Sequence, residues 1–388
     1  MKKLLKRLRN LLLIIIGLLV ALFGYLFITE PVVMQRTISA IQTGNMPGPK
    51  ETVKGVAATP MPAETKQSFS DEALEEMIAF GGATNSHALI VWHGDGVALE
   101  HYYPGYDEMT RSSTQSMHKS VVALLVGKAI EDGYINSVDD SASLYLPEWA
   151  EDERSKITIK QMLRQTTGIN FSSVKLSTIM NYMRLMVGSD VLAETLYLPL
   201  EVEPDTRFDY NTVIPQNLGL IIQRATGKRY TEYLSDALWK PIGATDANVI
   251  LDSEEKGMAR TGCCLDATAR SWLRVGLLHL NEGSVDGKQI VSKQWMKDII
   301  EPGEYNPNYG YFTWLGTEYV ENRRYNRKST TSVYHSEPFA APDIIYFDGF
   351  GGSRVYIVPS KELVIVRTGS IVGDWDDAYL PNMAIRAL

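Results

Sequence analysis

Ser116-Met117-His118-Lys119 is the most informative tetrapeptide in the chain. A serine and a lysine three positions apart share one face when the segment is helical, which brings a hydroxyl to an amine. The residues that follow predict a helix from Ser116 to Gly133, with Val121, Leu124, Leu125 and Ala129 at helical spacing on one face. At the head of such a helix the free N–H groups, the positive end of the dipole and burial all disfavour an ammonium. A neutral Lys119 amine could take the Ser116 proton and so produce a nucleophile for acyl transfer. The same spacing also suits a plain helix start with a surface lysine. Ser172-Ser173-Val174-Lys175 repeats it without an apolar helix behind it and reads as a chance match.

Two further segments carry polar chemistry. Tyr210, in Phe208-Asp209-Tyr210-Asn211-Thr212, offers a phenol that beside a lysine could be held partly as phenolate and relay protons. Asp348-Gly349-Phe350-Gly351-Gly352 is glycine-rich, so its backbone could approach a ligand closely. One N–H from that strand and the N–H of Ser116 could together hold an oxyanion. His118 points away from Ser116 on a helix, and His335 reads as a solvated loop histidine. G-x-S-x-G, H-E-x-x-H and G-x-x-x-x-G-K-[ST] are absent. The two cysteines, Cys263 and Cys264, are adjacent and read as a pair of small buried residues, a disulfide between neighbours being strained. No spaced Cys/His set points to zinc, and no metal or organic cofactor is expected.

The elements that must position these groups follow from composition and pattern. The 388 residues are 45% apolar and 22% charged, which is globular and excludes disordered, collagen-like and disulfide-stapled chains. The net charge is −8, although five cations (Lys2, Lys3, Lys6, Arg7, Arg9) crowd the first nine residues, so general nucleic-acid binding is not expected. Leu11 to Ile28 is an uncharged apolar run that as a helix spans about 27 Å. A basic flank over residues 1–10 and no good cleavage site after it predict an uncleaved anchor over 11–28, with the rest of the chain on the extracytoplasmic side of the inner membrane. Residues 29–70 are rich in breakers and are expected to be a linker.

Residues 71–388 then form one domain. Asp71 to Phe80 is helical in pattern. Ala88–Trp92 and Val97–Tyr102 flank the hairpin signature His93-Gly94-Asp95-Gly96. Ser353–Val358 and Leu363–Arg367 make a second hairpin, and Asp376 to Leu388 is helical. Strands at both ends with helices between predict an α+β fold: a mainly antiparallel sheet from the N- and C-terminal segments, flanked by helices, with a mostly helical inserted subdomain.

With these landmarks the chain resembles the serine β-lactamase-related hydrolases (class C β-lactamases, penicillin-recognising peptidases and esterases), most nearly their 6-aminohexanoate-dimer hydrolase branch. The landmarks keep their family order. They are Ser116-Met117-His118-Lys119, Ile157–Leu163 with Thr167-Gly168, Tyr210 before Leu218-Gly219, Pro241-Ile242-Gly243-Ala244, Ala267-Thr268-Ala269-Arg270, Tyr309-Gly310-Tyr311 and Gly349–Gly352. The resemblance implies a β-lactamase/transpeptidase-like fold with Ser116 as the acylated nucleophile and Lys119 and Tyr210 as the base system. The N–H groups of Ser116 and Phe350 would hold the oxyanion. The substrate would be a small ester, amide or peptide. Thr212 stands where the family has the asparagine of Y-x-N, and Phe347-Asp348-Gly349 stands where it has K-T-G, which argues against efficient β-lactam hydrolysis. Arg367-Thr368-Gly369 falls on the last strand and is a decoy. Thr212, Asp348, Gly349, Gly351, Tyr309 and Trp314 are candidate substrate contacts, the last two in an aromatic stretch over 305–314. The alternatives are a penicillin-binding or D-amino-acid peptidase, a β-lactamase, and a non-catalytic cell-envelope binding module.

Overall fold

Strand β1 (Ser86–His93) turns at Gly94, whose φ of +58° suits glycine, into β2 (Gly96–Tyr102). The computed structural model describes residues 2–43, 46–171, 176–254 and 256–388. The second predicted hairpin is also present, as β5 (Ser353–Val358) and β6 (Leu363–Gly369), preceded by β3 (Trp314–Leu315) and β4 (Ile345–Gly349). The six strands form one sheet in the order β2-β1-β6-β5-β4-β3, with every pair antiparallel. Pairing of Leu363 with His93 through Thr368 with Ala88 joins the two ends of the domain, as expected from the hairpins. Every residue of β5 is buried, so both sheet faces are covered there. Helix Ala269–Leu280 lies against β5 and β6, and its Gly276 sits where a Cβ would meet Val364 Cγ1 at 2.6 Å. Helix Asp71–Ala83 packs on β1 and on the C-terminal helix Tyr379–Ala387.

The helical insertion is built around α1 (His118–Glu131), whose residues from His118 to Gly127 are all buried. A helix covered on every side is a central element, and α2 (Val213–Thr226) packs along it. A second, four-stranded antiparallel sheet links insertion to domain: Lys50–Val53, Ala247–Ile250, Leu265–Thr268 and Arg111–Ser113, in that order.

Part of the stretch expected to be a linker is regular structure, while residues 54–70 form no helix or strand. Pro31–Thr43 forms a helix with Val33 and Met34 buried, and Lys50–Val53 is an edge strand of the second sheet. Proline at the first helical position is compatible with a helix start, and the strand's partner lies nearly two hundred residues away, so no local pattern announces it. Before this segment, Lys2–Thr29 is one helix, of which Lys6–Thr29 is long and apolar enough to cross a membrane (mean hydropathy 3.0). The decoy Ser172–Lys175 lies outside the described residues.

Candidate active site

Ser116 occupies a single 3-10 turn, Gln115–Met117, that runs directly into α1. The turn is reached from the strand Arg111–Ser113, and Gln115 enters it at φ +51°, a strained value for a side chain of that size. Thr114 Oγ1 donates to Leu265 O (3.0 Å) and Cys264 N–H to Gln115 O (3.3 Å), so the turn is tied to the second sheet on both sides of the strain.

Lys119 Nζ lies 2.7 Å from Ser116 Oγ and 2.5 Å from the carbonyl oxygen of Gly262. The lysine is fully buried, and burial pulls its amine down from 10.5 to about 7 against the opposing pull of the Asp348 carboxylate. A neutral amine can give one N–H to Gly262 while its lone pair faces the serine hydroxyl. Tyr210 completes the group: it lines the same cleft as Ser116, and its ring centre is 5.0 Å from Lys119 Nζ. Burial first, and then Asp348, raise the Tyr210 phenol above its usual range, with the neighbouring Ser116 hydroxyl opposing them. These influences favour the protonated phenol as the resting form of Tyr210.

Tyr210 is held by what surrounds it. Gln165 accepts from Asn211 N–H and donates to Asn211 O, both at 3.1 Å, and Asn326 Nδ2 donates to Tyr210 O (2.7 Å). Tyr309, Trp314 and Tyr325 pack their rings within 6.0 Å of its own. Tyr309 and Trp314, expected as substrate contacts, thus lie buried behind Tyr210.

Asp348 is buried too. It accepts from Tyr325 OH (3.1 Å) and pairs with Arg354 (2.8 Å) and Arg323 (2.5 Å), which in turn hold Asp377. Two arginines and two aspartates balance each other beneath the site, and none of the four lines the cleft. Arg354 also donates to Gly349 O (2.6 Å), fixing the end of β4. At Gly349 a Cβ would stand 2.3 Å from Thr114 O, so glycine is what lets β4 approach the strand that leads to Ser116. The turn beyond it passes through Gly351 and Gly352 at φ +80° and +99° and leaves Phe350 exposed at the cleft mouth.

The cleft itself measures about 320 Å³ and includes Ser116, Tyr210, Thr212, Cys263, Lys328 and Phe350 in its lining. A larger hollow, about 470 Å³ around Arg164 and Asp205, includes none of Ser116, Lys119 and Tyr210. His118 faces away, with Nδ1 2.7 Å from Cys263 O and Nε2 2.9 Å from Tyr230 OH. His335 is buried 3.7 Å from Asp377 and is not the solvated histidine expected. Arg367 of the decoy triplet is buried at the far edge of β6, donating to Ser86 Oγ (2.9 Å).

Sequence reading missed the loop that holds the lysine. Cys263 and Cys264 are buried, as expected, but they are also joined in a disulfide. The Gly262 and Cys263 carbonyls contact Lys119 and His118, and the Cys264 N–H holds Gln115. Adjacent half-cystines close a small ring in the backbone, and that ring keeps all three groups aimed. Reduction with a phosphine is expected to lower kcat about 10-fold, since small misplacements of catalytic groups are costly. The check is ester turnover before and after reduction, with alkylation confirming two new thiols. The Cys263→Ser/Cys264→Ser double variant is expected to show the lower rate with no response to reductant.

Comparison with known proteins accords with this geometry. The family model described as Beta-lactamase matches residues 71–385, so the chain belongs to the beta-lactamase family, a family of serine hydrolases. The 6-aminohexanoate-dimer hydrolase of Paenarthrobacter ureafaciens is 28% identical over 232 residues, 57% of this chain and 58% of that one. Protein flp of Staphylococcus aureus (strain N315) is 26% identical over 189 residues, 46% of this chain and 37% of its own length. The chain thus aligns with well under two thirds of either relative. Among solved structures, one from Bacillus anthracis assigned to the 6-aminohexanoate-dimer hydrolases superposes with a TM-score of 0.70 at 20% identity, covering 90% of this chain and 92% of the other. A family VIII carboxylesterase gives a TM-score of 0.62 at 16% identity, covering 85% and 100%. These two establish the β-lactamase/transpeptidase-like fold.

Proposed function

We propose that the chain is a membrane-anchored serine hydrolase that cleaves an ester or amide through a Ser116 acyl-enzyme. The carrying observation is the 2.7 Å separation of Ser116 Oγ from a buried lysine amine held near neutrality. Ser116 Oγ attacks the substrate carbonyl as its proton passes to Lys119. The developing oxyanion is met by the N–H groups of Ser116 and Phe350. The Tyr210 phenol gives its proton to the leaving group as the acyl bond breaks, and then takes up the proton that Lys119 received, Ser116 Oγ now being an ester oxygen with none to pass. Water then attacks the acyl carbonyl, activated by the same pair. The curated relative named 6-aminohexanoate-dimer hydrolase and the family VIII carboxylesterase support amide and ester substrates respectively. Asp348, engaged by two arginines, leaves no K-T-G-like donor on β4, which disfavours a β-lactam carboxylate as the recognised group. The apolar helix Lys6–Thr29, with cations at its start, supports an anchor that leaves the domain on the extracytoplasmic side.

The test is labelling of the full-length protein by a fluorophosphonate probe, together with turnover of 4-nitrophenyl butyrate. Mass spectrometry is expected to find the adduct on Ser116, with ester turnover lost on labelling. Absence of both would refute the reading. Modification of Ser116 by penicillin as fast as by the probe would favour a penicillin-binding peptidase instead.

A further inference from the structure

We propose, resting on the acyl-enzyme reading above, that the substrate is a bilayer-resident amphiphile: an ester or amide of a long acyl chain, presented at the membrane surface. The argument starts at the end of the apolar helix. Glu30, the residue after Thr29, pairs with Arg184, with Nε 3.0 Å from Oε1. One helical turn and a half further on, Arg36 donates to the carbonyls of Val187 (3.2 Å), Gly188 (2.9 Å) and Asp252 (2.8 Å). Helix Pro31–Thr43 packs along helix Leu176–Val187, and this second helix supplies Tyr182 and Met186 to the wall of the Ser116 cleft. Arg184 and Met186 are two residues apart, about 3 Å of helical rise. The membrane end of the anchor is therefore bolted to the cleft wall.

The contact chain continues inward. Met46, just past the anchor-side helix, and Met186 both pack on the cluster of Ile250, Cys263 and Cys264. That disulfide lies beside Ser116 in the cleft lining and ties back to Gln115. A domain tethered by a free linker would sample the aqueous space at large, whereas these contacts hold the cleft wall at a fixed place beside the end of the apolar helix. The cleft wall suits that position. Phe171, Tyr182, Met186 and Phe350 supply its apolar part, beside a polar part that includes Asn326 and Lys328, and Tyr182 and Phe350 are 45% and 47% exposed. Half-exposed aromatic and thioether side chains accept an acyl chain leaving a bilayer better than a charged wall does.

The experiment uses full-length protein in phosphatidylcholine vesicles and two esters with one leaving group: 4-nitrophenyl butyrate in the water and 4-nitrophenyl palmitate in the bilayer. Wild type is expected to turn over the palmitate with kcat/KM at least 10-fold above the butyrate. Arg36→Ala/Arg184→Ala, which frees the cleft wall from the anchor, is expected to lose at least 10-fold on palmitate while butyrate turnover stays within twofold. Glu30→Gln, a milder break of the same contact, is expected to move the ratio in the same direction. Butyrate turnover with palmitate untouched, or a ratio that none of these variants moves, overturns the inference and leaves the hydrolase reading standing. No turnover of either ester and no fluorophosphonate label on Ser116 overturns both.

Discussion

Ser116→Ala is expected to lower kcat/KM for 4-nitrophenyl butyrate by about 10⁴-fold or more, with the fluorophosphonate adduct lost as well. The size follows from the chemistry. Without the hydroxyl there is no acyl-enzyme, and only transition-state binding by the backbone N–H groups remains. The fold is expected to survive. Ser116 is only partly buried, Lys119 keeps its contact with Gly262, and Tyr210 keeps its backbone clamp to Gln165 and Asn326. The stability change should be about 1 kcal/mol or less, the worth of one hydrogen bond. Thermal denaturation alongside kinetics separates the two effects. A variant that folds like wild type and retains activity within tenfold of it would show that the hydroxyl is not the nucleophile.

Lys119 sets the second large effect. Burial takes its amine to about 7, so the fraction able to accept the Ser116 proton rises as pH rises through neutrality. The kcat/KM profile of the free enzyme is therefore expected to climb with pH around a midpoint of about 7 and then level. Lys119→Arg retains a cation and removes the base, because a guanidinium does not deprotonate in this range. It is expected to cost about 10² to 10⁴-fold and to abolish the neutral limb. The linkage sign can be checked independently. The folded value lies below the unfolded one of 10.5, so between them the unfolded chain binds the extra proton. The penalty for burying the ammonium is complete below about 7 and is relieved as pH rises towards 10.5. Lys119→Met should remove that dependence and raise the melting temperature most at acid pH. A wild-type profile flat from pH 5 to 9 would contradict the assignment.

The meeting of Ser116 and Lys119 was legible in the chain because it is local. Ser116 and Lys119 stand on one helix, and their separation is dictated by helical geometry alone. Both hairpins that pin the ends of the sheet announce themselves by two apolar runs and a turn, Gly94 in one and Pro359–Glu362 in the other. The exposed apolar helix at the start is likewise a matter of composition.

What only tertiary structure decided is everything that depends on residues far apart meeting. Tyr210 reaches Ser116 because Gln165, Asn326 and a box of rings from 309 to 325 hold it there, and none of these is near it in the chain. Asp348, read as a substrate contact, is consumed by Arg323 and Arg354 once the strands pair. Cys263 and Cys264 change from two small residues into the brace that positions a lysine some 140 residues earlier. Residues 30–53 change from linker to clamp because their partners, Arg184 and Ala247–Ile250, lie far along the chain. Spacing along one element specifies which groups share a face, but desolvation and ion pairing depend on what packs around them. Those surroundings are what lower the Lys119 amine, raise the Tyr210 phenol and tie the cleft wall to the end of the apolar helix.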